Sequence, residues 1–267
     1  MNFYYFFNRH FGPGVPSLPF VSHNLESLCI EPPTGQPYLG LLEGHLCLRK
    51  LRLPNSSTNT VLVVPLLSRL TNLELYHTDS VATFPFEVTL RDGIHLESLL
   101  IEGSLSLHTP SIHFRRYSHS LPNLKRFAIS FRSPISITQY DNDLFPAICD
   151  FLRNKSSLLT LELVAPNHMW AQQQLGFDRR CWDLLPALHQ LRALSMTLTS
   201  MGDSEHCAQF IPRSVTTLAL WGNANFPDVF SLVRSRRTSH GEGFLILFIC
   251  AHRSHRRIGQ NLCDFLS

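Results

Sequence analysis

Charge is scarce in this chain. Of its 267 residues only 16% are Asp, Glu, Lys or Arg, and 23 basic against 20 acidic residues leave a formal net charge of +3. Most of the basic excess collects late, in Arg234, Arg236, Arg237, Arg253, Arg256 and Arg257. The rest is close to neutral, so general nucleic-acid binding by the body of the chain is not expected. The Arg234–Arg237 stretch reads first as a solvated segment, since a short charge run usually is one.

Paired cysteine is also lacking. Cys29, Cys47, Cys149, Cys181, Cys207, Cys250 and Cys263 are scattered, odd in number, and include no Cys-x-x-Cys. Reduced thiols in cytosol or nucleus are the expectation. The longest apolar run, Phe244 to Ala251, has eight residues, far below the ~20 that span a bilayer. The aromatic start, Met1 to His10, has no basic region and no sustained aliphatic stretch, so it does not read as a signal peptide.

Catalytic signatures are missing as well. There is no Gly-x-Ser-x-Gly, no Gly-x4-Gly-Lys-Ser/Thr and no Gly-x-Gly-x-x-Gly. Gly12-Pro13-Gly14 is a turn. The closest approaches to ligand clusters are Glu205-His206-Cys207 and Cys250-Ala-His252-Arg-Ser-His255. Neither has the second ligand pair that structural zinc normally needs, and Arg253, Arg256 and Arg257 repel a cation from the latter. No catalytic residue, cofactor or metal site is expected.

What the chain does have is leucine at recurring intervals. Leu-x-x-Leu-x-(Leu/Ile/Met) starts at Leu25, Leu48, Leu70, Leu96, Leu158 and Leu191, with relaxed copies at Leu124 and Val215. Successive starts lie 23, 22, 26, 28, 34, 33 and 24 residues apart. Self-similarity at that length is the mark of stacked repeats. Within each triad the apolar period is two: Leu51 and Leu53, Leu73 and Leu75, Leu161 and Leu163 alternate with Arg52, Glu74 and Glu162, as on a strand. Ahead of the triads the period is helical. Leu144, Ile148, Phe151 and Leu152 share one helix face behind the cap candidates Asp141 and Asp143. Val64, Leu67 and Leu70, with Pro65 in a first turn, and Trp182, Leu185 and Leu188, with Pro186 near a helix start, repeat the idea.

These patterns predict an α/β leucine-rich repeat solenoid, a horseshoe with a parallel sheet on the concave face and helices and loops on the convex face. Strands are predicted near 27–31, 50–54, 72–76, 98–102, 126–130, 160–164, 193–197 and 217–221. The organisation is an N-terminal extension or cap over 1–24, an arc of about eight irregular repeats over 25–233, and a basic divergent segment over 234–267. Phe226 to Val233 can form one more outer helix, and the stretch from Phe244 to Ala251 onward reads equally as a divergent cap strand and helix or as a tail outside the repeats. Alternation sends Lys50, Arg52, Asn72, Glu74, Tyr76, Ser98, Glu102, Arg126, Ser130, Thr160, Glu162, Thr197 and Trp221 to the concave face. The candidate protein-binding residues among them are Lys50, Arg52, Glu74, Tyr76, Glu102, Arg126, Glu162 and Trp221, a mix of Arg, Tyr and Trp with charges of both signs that suits protein recognition. The bland alternative is that many of them only solvate the sheet.

The phrases His-Leu-Glu-Ser-Leu-Leu-Ile (95–101), Leu-Pro-Asn-Leu-Lys-Arg-Phe-Ala-Ile (121–129) and Ser-Leu-Leu-Thr-Leu-Glu-Leu (157–163) resemble the degenerate leucine-rich repeats of fungal F-box-type proteins, over about residues 20 to 233. In that family the repeats hold a target protein while an F-box docks on the ubiquitin-ligase core. The resemblance therefore implies a non-catalytic, intracellular protein-binding module. A link to the ligase core is expected only if an F-box is supplied elsewhere, because repeat one starts at Leu25 and leaves no room for one ahead of it. The alternatives are a free-standing scaffold or regulator and a truncated family relative. The family's usual Asn or Cys after the triad is replaced by Pro33, Ser56, Thr78, Ser104, Arg132, Pro166 and Thr199, with only Asn223 fitting. An irregular arc with long loops at 103–120 and 165–181 is the expectation.

Overall fold

Every triad becomes a strand. A computed structural model describes residues 2–5, 25–30, 47–55, 64–77, 86–103, 110–131, 141–166, 168–198, 209–222 and 245–250. The triad strands are β2 (Ser27–Ile30), β3 (Lys50–Asn55), β4 (Asn72–His77), β5 (Ser98–Gly103), β6 (Arg126–Ser130), β7 (Thr160–Val164), β8 (Ala193–Thr197) and β9 (Thr217–Gly222). Two more, β1 (Asn2–Tyr5) and β10 (Leu245–Cys250), extend the row at both ends. All pair in parallel in chain order, β1 to β10, in a single sheet.

The register is the one the triads dictate. Leu51, Leu73, Leu99, Phe127, Leu161, Leu194 and Leu218 pair in one row, and Leu53, Leu75, Ile101, Ile129, Leu163, Met196 and Leu220 in the next. All are buried in one continuous core, as are the leading residues Leu48, Leu70, Leu96, Leu124, Leu158, Leu191 and Val215. Just after each leading residue, one backbone carbonyl accepts two consecutive N–H groups from the next repeat. Glu26 O takes Arg49 N and Lys50 N at 2.8 and 2.9 Å, and Arg49, Thr71, Glu97, Lys125, Leu159 and Arg192 repeat the arrangement. This ladder satisfies the polar backbone at the strand entrances, where burial would otherwise be costly.

The helices pack on the face that carries the leucine rows. They are α1 (Val64–Leu67), α2 (Phe86–Asp92), α3 (Pro110–Arg116), α4 (Leu144–Arg153) and α5 (Met169–Gln174), followed by a 3-10 helix over Arg179–Ala187. Phe114 of α3 sits at the centre of an aromatic cluster, 5.4 Å from both Phe86 and Phe151 and 6.3 Å from Phe127 by ring centroid. Edge-on contacts of this kind add ~0.5–1.5 kcal/mol each beyond area burial. Leu144, Ile148, Phe151 and Leu152 are fully buried, the face that their spacing predicted.

Several local expectations are corrected. The segments 103–120 and 165–181 are not plain loops: they contain α3, α5 and the start of the 3-10 helix, short elements whose few apolar residues fall below any clear helical period. Asp143 stands at the N-cap of α4 but its side chain makes no cap bond. Its carboxylate instead takes Arg115 Nε and Nη2, both at 2.6 Å, while Arg115 Nη1 reaches Asp150. Asp141 is buried and accepts Ser111 N at 2.9 Å, tying the start of α3 to the approach of α4. Pro186 lies near the end of the 3-10 helix, not at a helix start. Gly176 adopts φ +67°, and a Cβ there would collide with the Asn142 backbone carbonyl, so only glycine lets α5 close against the entry to α4. The possible helix at 226–233 and the stretch 234–237 lie outside the described residues.

Candidate functional site

On the sheet face away from the leucine rows, strand pairing sorts the outward residues into three rows. The entrance row runs Lys50, Asn72, Ser98, Arg126, Thr160, Ala193, Thr217. The middle row runs Arg52, Glu74, Leu100, Ala128, Glu162, Ser195, Ala219. The exit row runs Pro54, Tyr76, Glu102, Ser130, Val164, and then Thr197 beside Trp221. The candidates therefore share one face, but they do not form one site.

The open part lies on β3 and β4. Lys50 is exposed, and Arg52, Glu74 and Tyr76 are half-buried. The Arg52 guanidinium carbon lies 4.1 Å from the centroid of the Tyr76 ring. Tyr76 donates its hydroxyl to Glu74 Oε2 at 3.1 Å. Arg52 Nε approaches the same oxygen at 3.9 Å, with about a third of each side chain in water. An ion pair this long and this wet contributes little by itself; the stacking adds ~0.5–1 kcal/mol. Burial raises the Tyr76 phenol far above its ordinary range, and the Glu74 carboxylate pushes it further. The ring is a neutral donor at any physiological pH. The result is a planar cation stacked on an aromatic ring.

The far part is closed. Glu162 is only 6% exposed and Trp221 5%, and Ser195, Thr197, Ala219 and Ser130 are buried beside them. Trp221 donates its indole N–H to Ser195 Oγ at 2.8 Å. Thr197 Oγ1 accepts Ala165 N at 3.0 Å across the strand ends. Glu162 and Trp221, expected on an accessible surface, are thus corrected to interior positions. The alternation assigned their direction properly but not their exposure. Leu100, which the alternation places on this face, is 5% exposed and marks where the polar face turns apolar. Its signal was present in the Leu99-Leu100-Ile101 run, where period two breaks. Glu102 and Arg126 are half-buried at this border. Arg126 Nε is shielded from water and has no hydrogen-bond partner among the described residues.

One ionisable group that motif reading missed is Lys155, just after α4. It is 3% exposed, and its amine donates to Ser118 O at 3.2 Å and Ser120 O at 2.5 Å. Burial lowers its pKa to about 8. It fastens the end of α3 to the end of α4, and burial is the cause of its shift, which makes it a structural tie. Among the described residues no three His, Cys, Asp or Glu side chains gather as a metal site. The Glu205–Cys207 cluster and the side chains of the Cys250–His255 cluster lie outside them. No described helix is long and apolar enough to cross a membrane.

Neither a protein-family model nor a curated protein matches this chain.

Proposed function

We propose that this chain is a non-catalytic protein-binding module, a leucine-rich repeat horseshoe that holds a protein target on its concave sheet face. The single observation that carries the reading is the Arg52–Tyr76–Glu74 group. A guanidinium stacked on a tyrosine at 4.1 Å, beside the exposed Lys50, is rigid, partly apolar and accessible. Arg and Tyr with low residual freedom are the side chains that tend to dominate interface energies. The binding surface is confined to the open residues Lys50, Arg52, Glu74, Tyr76, Glu102 and Arg126; Glu162 and Trp221 support it from within. The work is done inside the cell, in cytosol or nucleus, with a ligase core as a second partner only where an F-box is provided by another segment or chain.

Proximity labelling with the intact chain supplies the partner. Arg52→Ala and Tyr76→Ala should then each weaken binding by at least tenfold, ~1.4 kcal/mol or more, with folding unchanged. Substitutions on the exposed helix side, such as Ile112→Ala, should leave binding intact. Normal binding by both sheet-face variants, with loss at Ile112, would sink the proposal. Capture of a Skp1-type linker distinguishes a ligase adaptor from a free-standing scaffold.

A further inference from the structure

Cations are placed differently on two sides of this molecule. On the helix side Arg91, Arg115, Arg116, Arg153 and Arg180 each hold a carboxylate within 3.7 Å. At the strand entrances the pairing lapses. Arg49, Lys125 and Arg192 are ladder residues there, and Lys50 and Arg126 follow two of them in the entrance row of the sheet. Arg49, Lys50, Lys125 and Arg192 are exposed, and Arg126 is half-buried. Among the described residues only Lys125 of these five makes an ion pair, with Glu97 at 3.0 Å. Arg49 Nη1 donates to the backbone carbonyl of Arg69 at 3.0 Å, a bond that leaves its charge uncompensated. The carboxylates in the same strip are Glu26 and Glu97. In a chain with so little charge, this rim is where unpaired positive charge gathers.

We infer, building on the concave-face binding proposed for this chain, that the strand-entrance strip receives an extended acidic segment of the target protein. On the sheet face the target meets Arg52 and Tyr76; the strip carries it over the rim. Interfaces match potentials of opposite sign, and exposed cations of this kind select the partner and speed its approach more than they add affinity. The parallel stack fixes where they stand. Lys125 and Arg126 enter β6, three strands beyond Arg49 and Lys50 at β3, and Arg192 enters β8, two strands further. At ~4.8 Å per strand the gaps are ~14 and ~10 Å. An extended chain advances ~3.4 Å per residue, so acids about four and then about three residues apart meet all three stations. Nucleic acid fits less well. Its phosphates follow one another without interruption, and Glu26 and Glu97 meet them with like charge. None of the ladder or entrance-row residues on β3 to β9 is aromatic, so no base finds a ring to stack on.

Fluorescence anisotropy with the full chain tests this. The probe is a labelled Ser/Gly peptide of about twelve residues carrying Glu at that spacing. The controls are the same peptide with Lys in place of Glu, and an oligothymidylate of equal length. The expected result is binding of the Glu peptide at low salt that fades as ionic strength rises. Lys125→Glu combined with Arg192→Glu should weaken it at least tenfold while far-UV circular dichroism stays unchanged, and Lys50→Glu alone should weaken it less. No binding of the Glu peptide, tighter binding of the oligothymidylate, equal binding of the Lys peptide, or an affinity untouched by the double substitution would each overturn the inference. So would a labelled target protein that needs Arg52 and Tyr76 but ignores both the double substitution and salt, an outcome that leaves concave-face binding standing. Loss of the Glu peptide and of the target in the double variant, with target binding unaffected by Arg52→Ala and Tyr76→Ala, would support the strip and sink the concave-face reading.

Discussion

On β3 and β4 the polar face of the sheet is open to water; on β7 to β9 the same face is shut. Both parts come from the same triad, in the same register, with outward positions filled by the same alternation. On the open side Arg52, Glu74 and Tyr76 hold one another at 3.1 to 4.1 Å and remain half-exposed. On the shut side the middle row shrinks to Ser195 and Ala219, and Glu162 and Trp221 are interior. Direction on a strand and exposure to solvent are separate properties. The first follows from local period; the second depends on what lies across the face.

Substitutions can break or sharpen that contrast. The largest effect is expected for Leu161→Ala, on the core side of β7, where a fully buried leucine is removed from a packed row. Denaturant unfolding should show a loss of ~2–5 kcal/mol. A cost below ~1 kcal/mol would mean the leucine rows are loosely packed and the two-face description fails.

Next is Lys155, which belongs to neither sheet face and so serves as an independent reference. Its amine titrates near 8 in the folded chain against 10.5 unfolded. Between those values the unfolded state holds more protons, so stability should rise with pH through that window and be level below it. A shift of this size amounts to ~3 kcal/mol at most. Lys155→Met should abolish the rise in unfolding experiments at a series of alkaline pH values. An unchanged rise in the variant would assign it to other groups.

Smaller, and closer to the comparison, are Glu162→Ala and Trp221→Phe on the shut side. Each removes one side of a buried polar arrangement, with expected losses of ~1–3 kcal/mol for the glutamate and ~1 kcal/mol for the indole N–H that Ser195 accepts. The smallest effect is expected on the open side. Arg52→Ala and Tyr76→Phe should each cost less than ~1 kcal/mol in thermal unfolding. If Glu162→Ala proves as mild as Arg52→Ala, the shut half is wetter than its burial implies.

Much of this fold could be read before any coordinates. Triad spacing placed eight strands within a residue at either end, because leucines at period two behind a leading leucine suit little else. Of the end strands, β10 falls within the Phe244 to Ala251 run read as a possible cap strand, while β1, which carries no triad, lay outside the reading. The short α3 and α5 have too few turns to show a period, so their sequence reads as loop. Residue type alone points Asp141 and Asp143 to helix capping, whereas the choice between a cap and a cross-helix partner depends on Arg115 and Ser111, some thirty residues away in the chain. The candidate site was half legible. Arg52, Glu74 and Tyr76 lie where alternation put them, but the burial of Leu100, Glu162 and Trp221 is tertiary in origin.

The carbonyl ladder at the strand entrances has an inheritance consequence. Repeats here range from 22 to 34 residues between leading positions, yet strands β3 to β9 start at the same rung, because the pair of N–H groups is caught at a point the outer segment never reaches. Lengthening a flexible outer segment costs only ~0.6 kcal/mol per doubling. Insertions and deletions can therefore accumulate on the helix side without shifting any side chain on the opposite face. A lineage of such chains can rewrite its back freely while its front keeps the same spacing, one row every ~4.8 Å.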